Sequence, residues 1–332
     1  MEKDLIDFPT DLVYLWVDGS DDEWQKEKKF WRTKERALDV QSDNIGRYFD
    51  NNELKYSLRS AEKYAPWIRK IFIVTNGQVP KWLNTSHPKI KLIFHKDIIP
   101  AEYLPTFNSC AIECFLDKIS DLSEHFLDAN DDMFFNYPVE KQFFFDNKGQ
   151  PFVRVRNIKK RRNLLVSESM YTRRIGIVQQ KIKEKFNINL RYFPHHNIDA
   201  YLKSEFIACK KDFPNEFNET MVNRFRKEND IERFLINLYQ GAKNPKNIKI
   251  IHKYDLSLPI MKRILNIILS KPQADSKAFN LGGLNKDLEE RMSRYNPKLF
   301  CINDGEGVTD GERNNVALFL EKLFPEKSSF EK

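Results

Sequence analysis

Two adjacent carboxylates, Asp131 and Asp132, follow Asn130 at the end of an apolar run. Hard oxygen donors of this kind are the ligands that Mg²⁺ or Mn²⁺ prefers, and two of them leave coordination positions open for substrate phosphates. Asp304 ends a second apolar run in the same way, so the two groups can share one ion at a common sheet edge. The alternative is a capping turn without metal. The pattern favours a divalent-metal site on Asp131, Asp132 and Asp304.

Arg59 is a candidate for binding a phosphate group. It lies beside Leu58 on a predicted helix over residues 53–65, off the apolar stripe of that helix. The planar guanidinium suits a bidentate clamp on phosphate oxygens. The alternative is an exposed ion pair with Glu62 or Glu53. Residue type and spacing leave both roles open.

An imidazole and a second arginine occur later in the chain. His195 and His196 are adjacent, so their rings point in different directions and at most one of them does chemistry. A histidine near neutral pH can take the proton from a sugar hydroxyl, and the alternative is a surface pair. Zinc is disfavoured because no nearby ligand has a matching spacing. Arg226 can neutralise a phosphoryl transition state, or it can form an ion-pair network with Glu228 and Asp230.

Strands alternating with helices must position these side chains. The predicted strands are 12–17, 70–75, 90–94 and the run before residue 130, and the predicted helices are 53–65 and 108–118. Near-continuous apolar runs are typical of buried parallel strands. Four strand ends are each followed by polar residues, namely Asp18, Asn76, Asp97 and the pair Asp131-Asp132, so we expect these residues to converge on one sheet edge. The pattern predicts an α/β fold with a mostly parallel sheet and flanking helices.

The pattern changes beyond the acidic pair. Three phenylalanines at 143–145 and an apolar run at 152–155 flank a turn, which predicts a hairpin. From about 168 to 272 the periodicity is mostly helical. A strand over 299–302 is predicted to return to the sheet, followed by a helix over 311–323. We divide the chain into an α/β nucleotide-sugar-binding core at 1–155, a mainly helical subdomain with acceptor and catalytic elements at 156–295, and a C-terminal strand and helix at 296–332.

Composition excludes several classes of protein. The 332 residues carry 55 Lys and Arg against 48 Asp and Glu, a net charge of +7, and 41% of them are apolar. That apolar share is enough for a sizeable core. Four scattered cysteines indicate free thiols rather than a disulfide framework. Glycines number only 11, and dinucleotide-binding and P-loop motifs do not occur. Any phosphate must therefore be held by side chains, a metal or helix ends.

The sequence predicts a cytoplasmic protein. No apolar run approaches the ~20 residues of a membrane span, and no apolar signal segment follows the charged N-terminus. The basic run at 159–162 has no interleaved aromatic residues, so a nucleic-acid partner is not expected. That run leaves open an anionic partner, either a phosphorylated glycan or a membrane surface bound peripherally.

Taken in order, these segments resemble the Stealth family. That family contains bacterial capsule sugar-phosphate transferases and the catalytic subunit of the animal lysosomal-enzyme N-acetylglucosamine phosphotransferase. The similar segments are 12–21 for its first conserved region, 52–78, 104–113 and 130–132 for the second, 194–195 and 224–226 for the third, and 300–305 for the fourth. One departure is Leu127-Asp128-Ala129, where the family usually has an aromatic or aliphatic run.

The resemblance implies a nucleotide-sugar transferase-like fold and a reaction. A sugar 1-phosphate, favoured as N-acetylhexosamine 1-phosphate, would pass from a UDP-sugar to a hydroxyl of a capsular or exopolysaccharide acceptor, with release of UMP. The family pattern also favours His195 over His196. The residues that it singles out here are Asp18, Arg59, Glu113, Asp131, Asp132, His195, Arg226 and Asp304.

The implied site divides by role. The three metal-binding carboxylates hold Mg²⁺ or Mn²⁺, which neutralises charge on the UMP leaving group. Arg59 and Arg226 hold phosphate oxygens. His195 is either a general base on the acceptor hydroxyl or a nucleophile that forms a phosphohistidine.

Asp18 and Asn76 are expected to contact the donor, and Glu113 either orients a sugar hydroxyl or supports an arginine. Two alternative functions stay open from the residues. A metal-dependent glycosyltransferase would use the same donor and acidic pair but release UDP. A non-catalytic glycan- or nucleic-acid-binding protein would need neither the carboxylates nor a divalent ion.

Overall fold

The computed structural model describes residues 8–35, 48–158, 163–231, 233–251, 271–282, 288–305 and 307–332, together with Ile264 and Leu269. Its strands are β1 (Thr10–Leu15), β2 (Ile71–Thr75), β3 (Ile90–Phe94), β4 (His125–Asn130), β5 (Met133–Phe135), β6 (Val153–Asn157), β7 (Tyr192–Pro194), β8 (Asp199–Leu202), β9 (Ile248–Ile250), β10 (Ala274–Asn280) and β11 (Pro297–Asn303). Its helices are α1 (Asp22–Arg32), α2 (Glu53–Tyr64), α3 (His95–Ile98), α4 (Ser109–Glu113), α5 (Lys141–Phe144), α6 (Met170–Phe186), α7 (Lys203–Asp212), α8 (Pro214–Met221), α9 (Phe234–Lys243), α10 (Leu288–Tyr295) and α11 (Asp310–Leu323). The basic run at 159–162 lies outside the described residues.

Five strands form the central sheet, in the order β3-β2-β1-β4-β8. The first four are parallel, and β8 pairs antiparallel with β4. Parallel strands are covered on both faces by their crossover helices, which is why their sequences are apolar throughout. β1, at the centre, is buried along its whole length. These strands and their helices confirm the predicted α/β fold with a mostly parallel sheet.

A second sheet, in the order β10-β11-β5, begins directly after the acidic pair. β10 and β11 are parallel, and β5 is antiparallel to β11. The strand predicted at 299–302 therefore exists as β11, but the expectation that it joins the central sheet is wrong. Phe300 pairs with Phe134 of β5, and their rings stack 4.7 Å apart. Only two residues separate β4 from β5, so β5 leaves the central sheet and offers a new edge.

A third sheet contains β6 between β7 and β9. The predicted hairpin has its turn, in which Gly149 N–H donates to the Asp146 carbonyl at 2.9 Å. The predicted first strand does not form. Phe143 and Phe144 belong to helix α5, and Phe145 makes a single bridge with Pro151. Packing decides this, since the Phe144 ring is fully buried 6.2 Å from Trp67.

The middle segment of the chain contains helices and strands. α6, α7, α8 and α9 agree with the predicted helical periodicity, and β8 of the same segment pairs with β4 of the central sheet. β10 likewise pairs with β11 from the C-terminal segment. The domain boundaries at residues 155 and 295 stay predictions.

Capping side chains and a proline set several helix ends. Asp21 caps α1 by accepting a hydrogen bond from the Trp24 N–H, and α2 ends before Pro66. A capping box of Thr309 and Glu312 begins α11. The predicted helix at 108–118 is shorter than expected, because α4 stops at Glu113 and a 3₁₀ turn follows at Leu116–Lys118.

The residues after α11 pack against the segment between β2 and β3. Glu331 forms a bridge with Leu83, and the Asn84 N–H donates to the Phe330 carbonyl at 2.8 Å. The Phe330 side chain is buried there. The four cysteines are free and buried, as predicted. Within the described ranges, no helix has the length and apolar character needed to cross a bilayer.

Candidate active site

Polar residues follow three parallel strands at one edge of the central sheet. Asp18 follows β1, Asn76 follows β2 and Asp131 follows β4. The last residue of β1 lies opposite Val74 of β2 and Asn130 of β4, so the three strand ends are level. The register confirms that these residues share the edge at which α/β sheets bind their ligands.

The turn at Asp18 is tied to the end of β2. The Asp18 N–H donates to Gln78 Oε1 at 2.8 Å, and Gln78 Nε2 donates to the Asp18 carbonyl at 2.9 Å. The Asp18 carboxylate accepts from the backbone and hydroxyl of Ser20 at 2.9 and 2.6 Å. Burial raises the pKa of Asp50, and the negative charge of Asp18 adds to that rise. Asp18 therefore lies within electrostatic reach of Asp50.

Four carboxylates gather at this edge, and we call Asp50, Glu53, Asp131 and Asp132 the acidic cluster. Burial raises the pKa of Glu53 to about 8. Burial also raises the pKa of Asp131 well above its usual range, and the charges of Asp132, Glu53 and Asp50 add to the effect. Asn51 Nδ2 donates to Glu53 at 2.6 Å. Crowding of these buried or half-buried acids favours their protonated forms in the free protein, and a cation would favour the ionised carboxylates.

Asp132 has a carboxylate oxygen that suits a metal ion. Its Oδ2 accepts a weak hydrogen bond from Cys301 Sγ at 3.3 Å, whereas Oδ1 is buried and has no hydrogen-bond partner in the described part of the chain. An orphaned buried carboxylate oxygen costs free energy unless something binds it. Hard oxygens on adjacent residues match Mg²⁺ or Mn²⁺. Asp131 and Asp132 therefore fit the predicted ion.

The third predicted metal ligand, Asp304, is engaged by an arginine. Arg313 Nε donates to Asp304 Oδ2 at 2.8 Å, and both side chains are nearly buried. Burial raises the pKa of Asp132, and the charge of Asp304 adds a smaller rise, so the two carboxylates are near each other. Across the described ranges, no three His, Cys, Asp or Glu side chains stand close enough to hold an ion. Arg313 therefore competes with a metal for the carboxylate of Asp304.

His195 is buried, and both of its ring nitrogens have partners. Nε2 lies 2.7 Å from Asp199 Oδ1, and Nδ1 lies 3.0 Å from Ser276 Oγ. Burial would raise the pKa of Asp199, but His195 and Arg233 outweigh it and lower that pKa, so the carboxylate is ionised. An ionised carboxylate can only accept, so Nε2 carries the proton and Nδ1 accepts from the serine hydroxyl. Burial lowers the pKa of His195, although Asp199 opposes this, so the imidazole is neutral and Nδ1 is basic.

Arg233 connects the histidine to the strand that carries the acidic pair. Its Nε lies 3.5 Å from Asp199 Oδ2, and its Nη1 lies 3.4 Å from Asp128 Oδ2 on β4. Burial opposes the charge of Arg233, but these two carboxylates and Glu113 raise its pKa well above the usual value. Glu113 is buried within electrostatic reach of Arg233, and its role stays a prediction.

The second sheet brings the histidine network close to the acidic pair. Ser276 of β10 lies opposite Leu299 of β11, and Cys301, two residues further along β11, contacts Asp132. Asp132 lies on the other side of β11, where its carbonyl accepts from the Ile302 N–H at 3.0 Å. Two strand spacings of about 4.8 Å and three residues of about 3.4 Å put Ser276 roughly 14 Å from the acidic pair. One substrate can contact both groups.

Arg59 belongs to a different network from the one predicted. Its Nε and Nη2 donate to Glu331 at 2.8 and 2.9 Å, and its Nη1 donates to the Phe324 carbonyl at 2.6 Å. The guanidinium is buried, so the expectation of an exposed ion pair with Glu62 or Glu53 is wrong. All three nitrogens bind residues beyond 320, so the structure does not bring free donors of Arg59 to the acidic cluster. The phosphate-clamp role stays a prediction.

Arg226 is half-buried beside the first residue of α4. Its Nη2 donates to Ser109 Oγ. The alternative network with Glu228 and Asp230 does not form, because Glu228 binds Arg173 at 2.6 Å and Asp230 accepts from two asparagine side chains. Arg226 therefore keeps donor capacity, although no described contact joins it to the acidic cluster.

A cleft of about 420 Å³ opens at the carboxyl ends of β2 and β3. Its lining includes Trp24, Asn76, Phe94, His95, Lys96 and Phe107. The Tyr48 ring packs 5.1 Å from Trp24, and a Cβ at Gly19 would lie 2.0 Å from the Tyr48 carbonyl, so only glycine permits this approach. Burial lowers the pKa of His95 to about 4, so this histidine is neutral. The aromatic walls suit a planar base, and Glu27 and Lys96 add charged groups to the lining.

Five residues of the site were missed by sequence reasoning: Asp50, Glu53 as a site residue, Asp199, Ser276 and Arg233. Asp199 lies four residues after His195, and that spacing was a usable signal for a histidine–carboxylate pair. Ser276 and Arg233 carry no local signal, because they reach their partners across 81 and 105 residues.

Two descriptions of conserved regions match this half of the molecule. Stealth protein CR1, conserved region 1, matches residues 8–36, and Stealth protein CR2, conserved region 2, matches residues 47–153. The capsular polysaccharide phosphotransferase WcwK of Streptococcus pneumoniae is 33% identical over 97% of this chain and 98% of its own length. The chain belongs to the Stealth family. The matched regions contain the turn at Asp18 and the whole acidic cluster.

Further relatives carry similar names. A capsular polysaccharide phosphotransferase of Neisseria meningitidis serogroup B is 34% identical over 97% of this chain and 83% of its own length. The exopolysaccharide phosphotransferase cps2G of Lactiplantibacillus plantarum is 31% identical over 98% and 97%. Family membership confirms that the Stealth chain is an enzyme of the phosphotransferase class. The crystal structure of the galactosyltransferase LgtC aligns with 96% of this chain and 96% of its own chain, with a TM-score of 0.43 and 11% sequence identity.

Proposed function

We propose that this Stealth protein transfers a sugar 1-phosphate, favoured as N-acetylhexosamine 1-phosphate, from a UDP-sugar to a hydroxyl of a capsular or exopolysaccharide acceptor. The products are a phosphodiester and UMP. The observation that carries the proposal is the acidic pair at the ligand-binding edge of the parallel sheet, where Asp132 Oδ1 is buried without a partner among the described residues. The names of the relatives support the reaction class and the polysaccharide acceptor.

The donor is proposed to bind from the cleft to the acidic pair. Aromatic side chains of the cleft stack on the uracil, and Asn76 and Asp18 supply polar contacts to the nucleoside. The diphosphate then reaches Asp131 and Asp132, which would hold Mg²⁺ or Mn²⁺, with Asp304 as a further ligand if Arg313 releases it. When bound, such an ion neutralises negative charge on the diphosphate.

His195 is the proposed base for the acceptor hydroxyl. Its Nδ1 faces Ser276, so the acceptor proton reaches Nδ1 either through the serine hydroxyl or in its place. Asp199 holds the proton on Nε2 and stabilises the imidazolium once it forms. The alternative is nucleophilic attack by Nδ1 to give a phosphohistidine. One displacement inverts the configuration at phosphorus and two retain it, so a chiral phosphorothioate donor separates the two routes.

Arg226 and Glu113 complete the proposed site. Arg226 neutralises charge on the transferred phosphoryl group, using donors that its bond to Ser109 leaves available. Glu113 supports Arg233 and so indirectly holds the Asp199–His195 pair. Cytoplasmic location and any peripheral membrane association stay predictions.

Product analysis tests the proposal. The protein is incubated with Mg²⁺, capsule oligosaccharides and a panel of UDP-sugars that includes UDP-N-acetylglucosamine. We expect UMP and an acceptor heavier by one sugar phosphate. UDP and an acceptor heavier by the sugar alone would assign the chain to the glycosyltransferases. Asp132→Asn should abolish turnover without lowering the melting temperature, because it relieves repulsion in the half-buried acidic pair. Exposed Asp22→Asn is the matched control.

A further inference from the structure

A second cavity, of about 380 Å³, lies at the other end of β4 from the acidic pair. We call it the basic pocket, and its defining residues are Lys148, Phe152, Lys246 and Lys249. His125 is the first residue of β4, and its Nε2 lies 3.1 Å from the carbonyl of Gly149, in the turn that lines this pocket. The acidic pair follows the last residue of β4. The strand rise puts roughly 20 Å between the two sites.

The basic pocket has an excess of positive charge. Its one carboxylate, Asp146, is used to hold the turn, where it accepts from the Lys148 N–H at 2.8 Å and from Asn247 Nδ2 at 3.0 Å. Lys148 and Lys246 are exposed. Burial lowers the pKa of Lys249, and the charges of Arg154 and Lys298 lower it further, while the charge of Asp275 partly opposes them. An anion bound here would relieve that repulsion.

The basic pocket also has an aromatic wall. Lys249 Nζ lies 3.4 Å from the centre of the half-buried Phe152 ring. Next to it, the Arg154 guanidinium lies 3.7 Å from the centre of the Phe143 ring. An aromatic face beside several cations matches a ligand that has both an apolar ring face and a negative charge, as a phosphorylated sugar does.

Contacts lead from the basic pocket toward the proposed base. Lys249 is paired in register with Arg154 of β6, and Arg154 lies 3.6 Å from Asp275. Asp275 precedes Ser276, the hydrogen-bond partner of His195. These contacts run through the interior, because Arg154 is buried and the adjacent Asp275 and Ser276 face opposite sides of β10. An acceptor held in the basic pocket would have to reach His195 along the surface, which takes a chain of several sugars.

We propose that the basic pocket is an acceptor exosite, which binds a phosphodiester-bearing segment of the polysaccharide away from its reacting hydroxyl. This inference rests on the proposed function. Each transfer adds one phosphodiester to the acceptor, so a product that is used again as an acceptor carries the negative charges that the lysines bind. A longer anionic acceptor should therefore bind more tightly than a short one.

Binding without donor tests the exosite independently of turnover. The probes are a fluorescent six-unit oligomer of N-acetylglucosamine 1-phosphate joined by phosphodiesters, and the neutral six-unit N-acetylglucosamine oligomer. Wild type should bind the anionic oligomer about tenfold more tightly than the neutral one, and Lys148→Gln/Lys246→Gln/Lys249→Gln should lose that preference. The control Lys81→Gln/Lys211→Gln/Lys327→Gln removes the same charge from exposed positions and should keep it. Equal affinity of wild type for both oligomers, or an unchanged preference in the pocket variant, overturns the exosite.

Kinetics and vesicles complete the test. In the transferase assay, the pocket variant should raise KM about tenfold for a six-unit anionic acceptor and leave KM for a one-unit acceptor and kcat unchanged. Failure of all transfer, with the oligomer preference intact, would contradict the proposed function and not the exosite. Binding of phosphatidylglycerol vesicles that depends on the three lysines, without any oligomer preference, would assign the pocket to a membrane and overturn the proposal.

Discussion

Burial favours the protonated forms of Glu53 and of the acidic pair. The pKa of Glu53 rises to about 8 because the side chain is buried, and its nearest donors are those of Asn51. Protonation relieves the cluster in the free protein, whereas a bound cation would favour the ionised carboxylates and release their protons. Cation binding should accordingly become tighter as pH rises.

The stability of the free protein should decrease as pH rises. The folded state holds the Glu53 proton more tightly than the unfolded chain, so the free energy of unfolding falls between pH 4.5 and about 8. Glu53→Gln should make the decrease in the free energy of unfolding between these pH values smaller by roughly 1–4 kcal/mol. Urea unfolding at pH 5 and pH 8.5 without divalent ions measures it, with exposed Glu23→Gln as the control. A variant whose stability falls as steeply as wild type would show that Glu53 does not titrate in this range.

Asp199 determines which nitrogen of His195 is basic. Asn at this position no longer holds the proton on Nε2, so Nδ1 loses its role as the base. We expect Asp199→Asn to lower kcat by about 10²–10⁴-fold with little change in the KM for the donor. Steady-state release of UMP measures both quantities, and Asp310→Asn, an exposed acid on α11, is the control. Full activity in a folded Asp199→Asn protein would remove His195 from the reaction.

Among the strands and helices, local sequence predicted the parallel strands of the central sheet but not how β11 pairs. β1, β2, β3 and β4 were predictable because a parallel strand covered on both faces is apolar throughout. The neighbours of β11 were not, because an apolar pattern indicates burial and not which strand edge pairs. Phe143–Phe145 suits a strand or a packed helix equally, and tertiary contacts decide for α5.

The candidate site divides in the same way. Asp131 and Asp132 come directly after a strand, so strand prediction alone located them. Arg233 and Ser276 reach the site only when β8 joins β4 and β10 joins β11, and no local pattern encodes those pairings.

Arg233 holds two strands together through opposite charge. Its removal leaves Asp128 and Asp199 buried without a counter-ion, so Arg233→Met should lower the free energy of unfolding by about 3–5 kcal/mol. Exposed Arg294→Met should cost less than about 0.5 kcal/mol. Adding Asp128→Asn to Arg233→Met should restore part of the loss. Urea denaturation measures all three, and a double variant no more stable than Arg233→Met would show that Asp128 is not the main partner.

Across the whole molecule, the residues after α11 bind a helix from the first quarter of the chain. Arg59 and Glu331 are each only 5% exposed, so losing one partner leaves a buried charge. Arg59→Met and Glu331→Gln should each lower the free energy of unfolding by about 2–4 kcal/mol. Glu331→Gln should keep wild-type kcat. If Arg59→Met abolishes kcat while the equally destabilised Glu331→Gln variant keeps it, Arg59 has the predicted phosphate-clamp role.

These contacts also impose an order of events during synthesis. Arg59 and Glu331 are 272 residues apart, so at about 5–20 residues per second the ribosome makes α2 roughly 15–50 s before its partner. During that interval the arginine has no counter-ion from this segment, and the apolar site at Leu83 that later receives Phe330 is uncovered. A nascent chain stalled before residue 330 would therefore expose that site to chaperones while the helix that carries Glu53 is still unanchored.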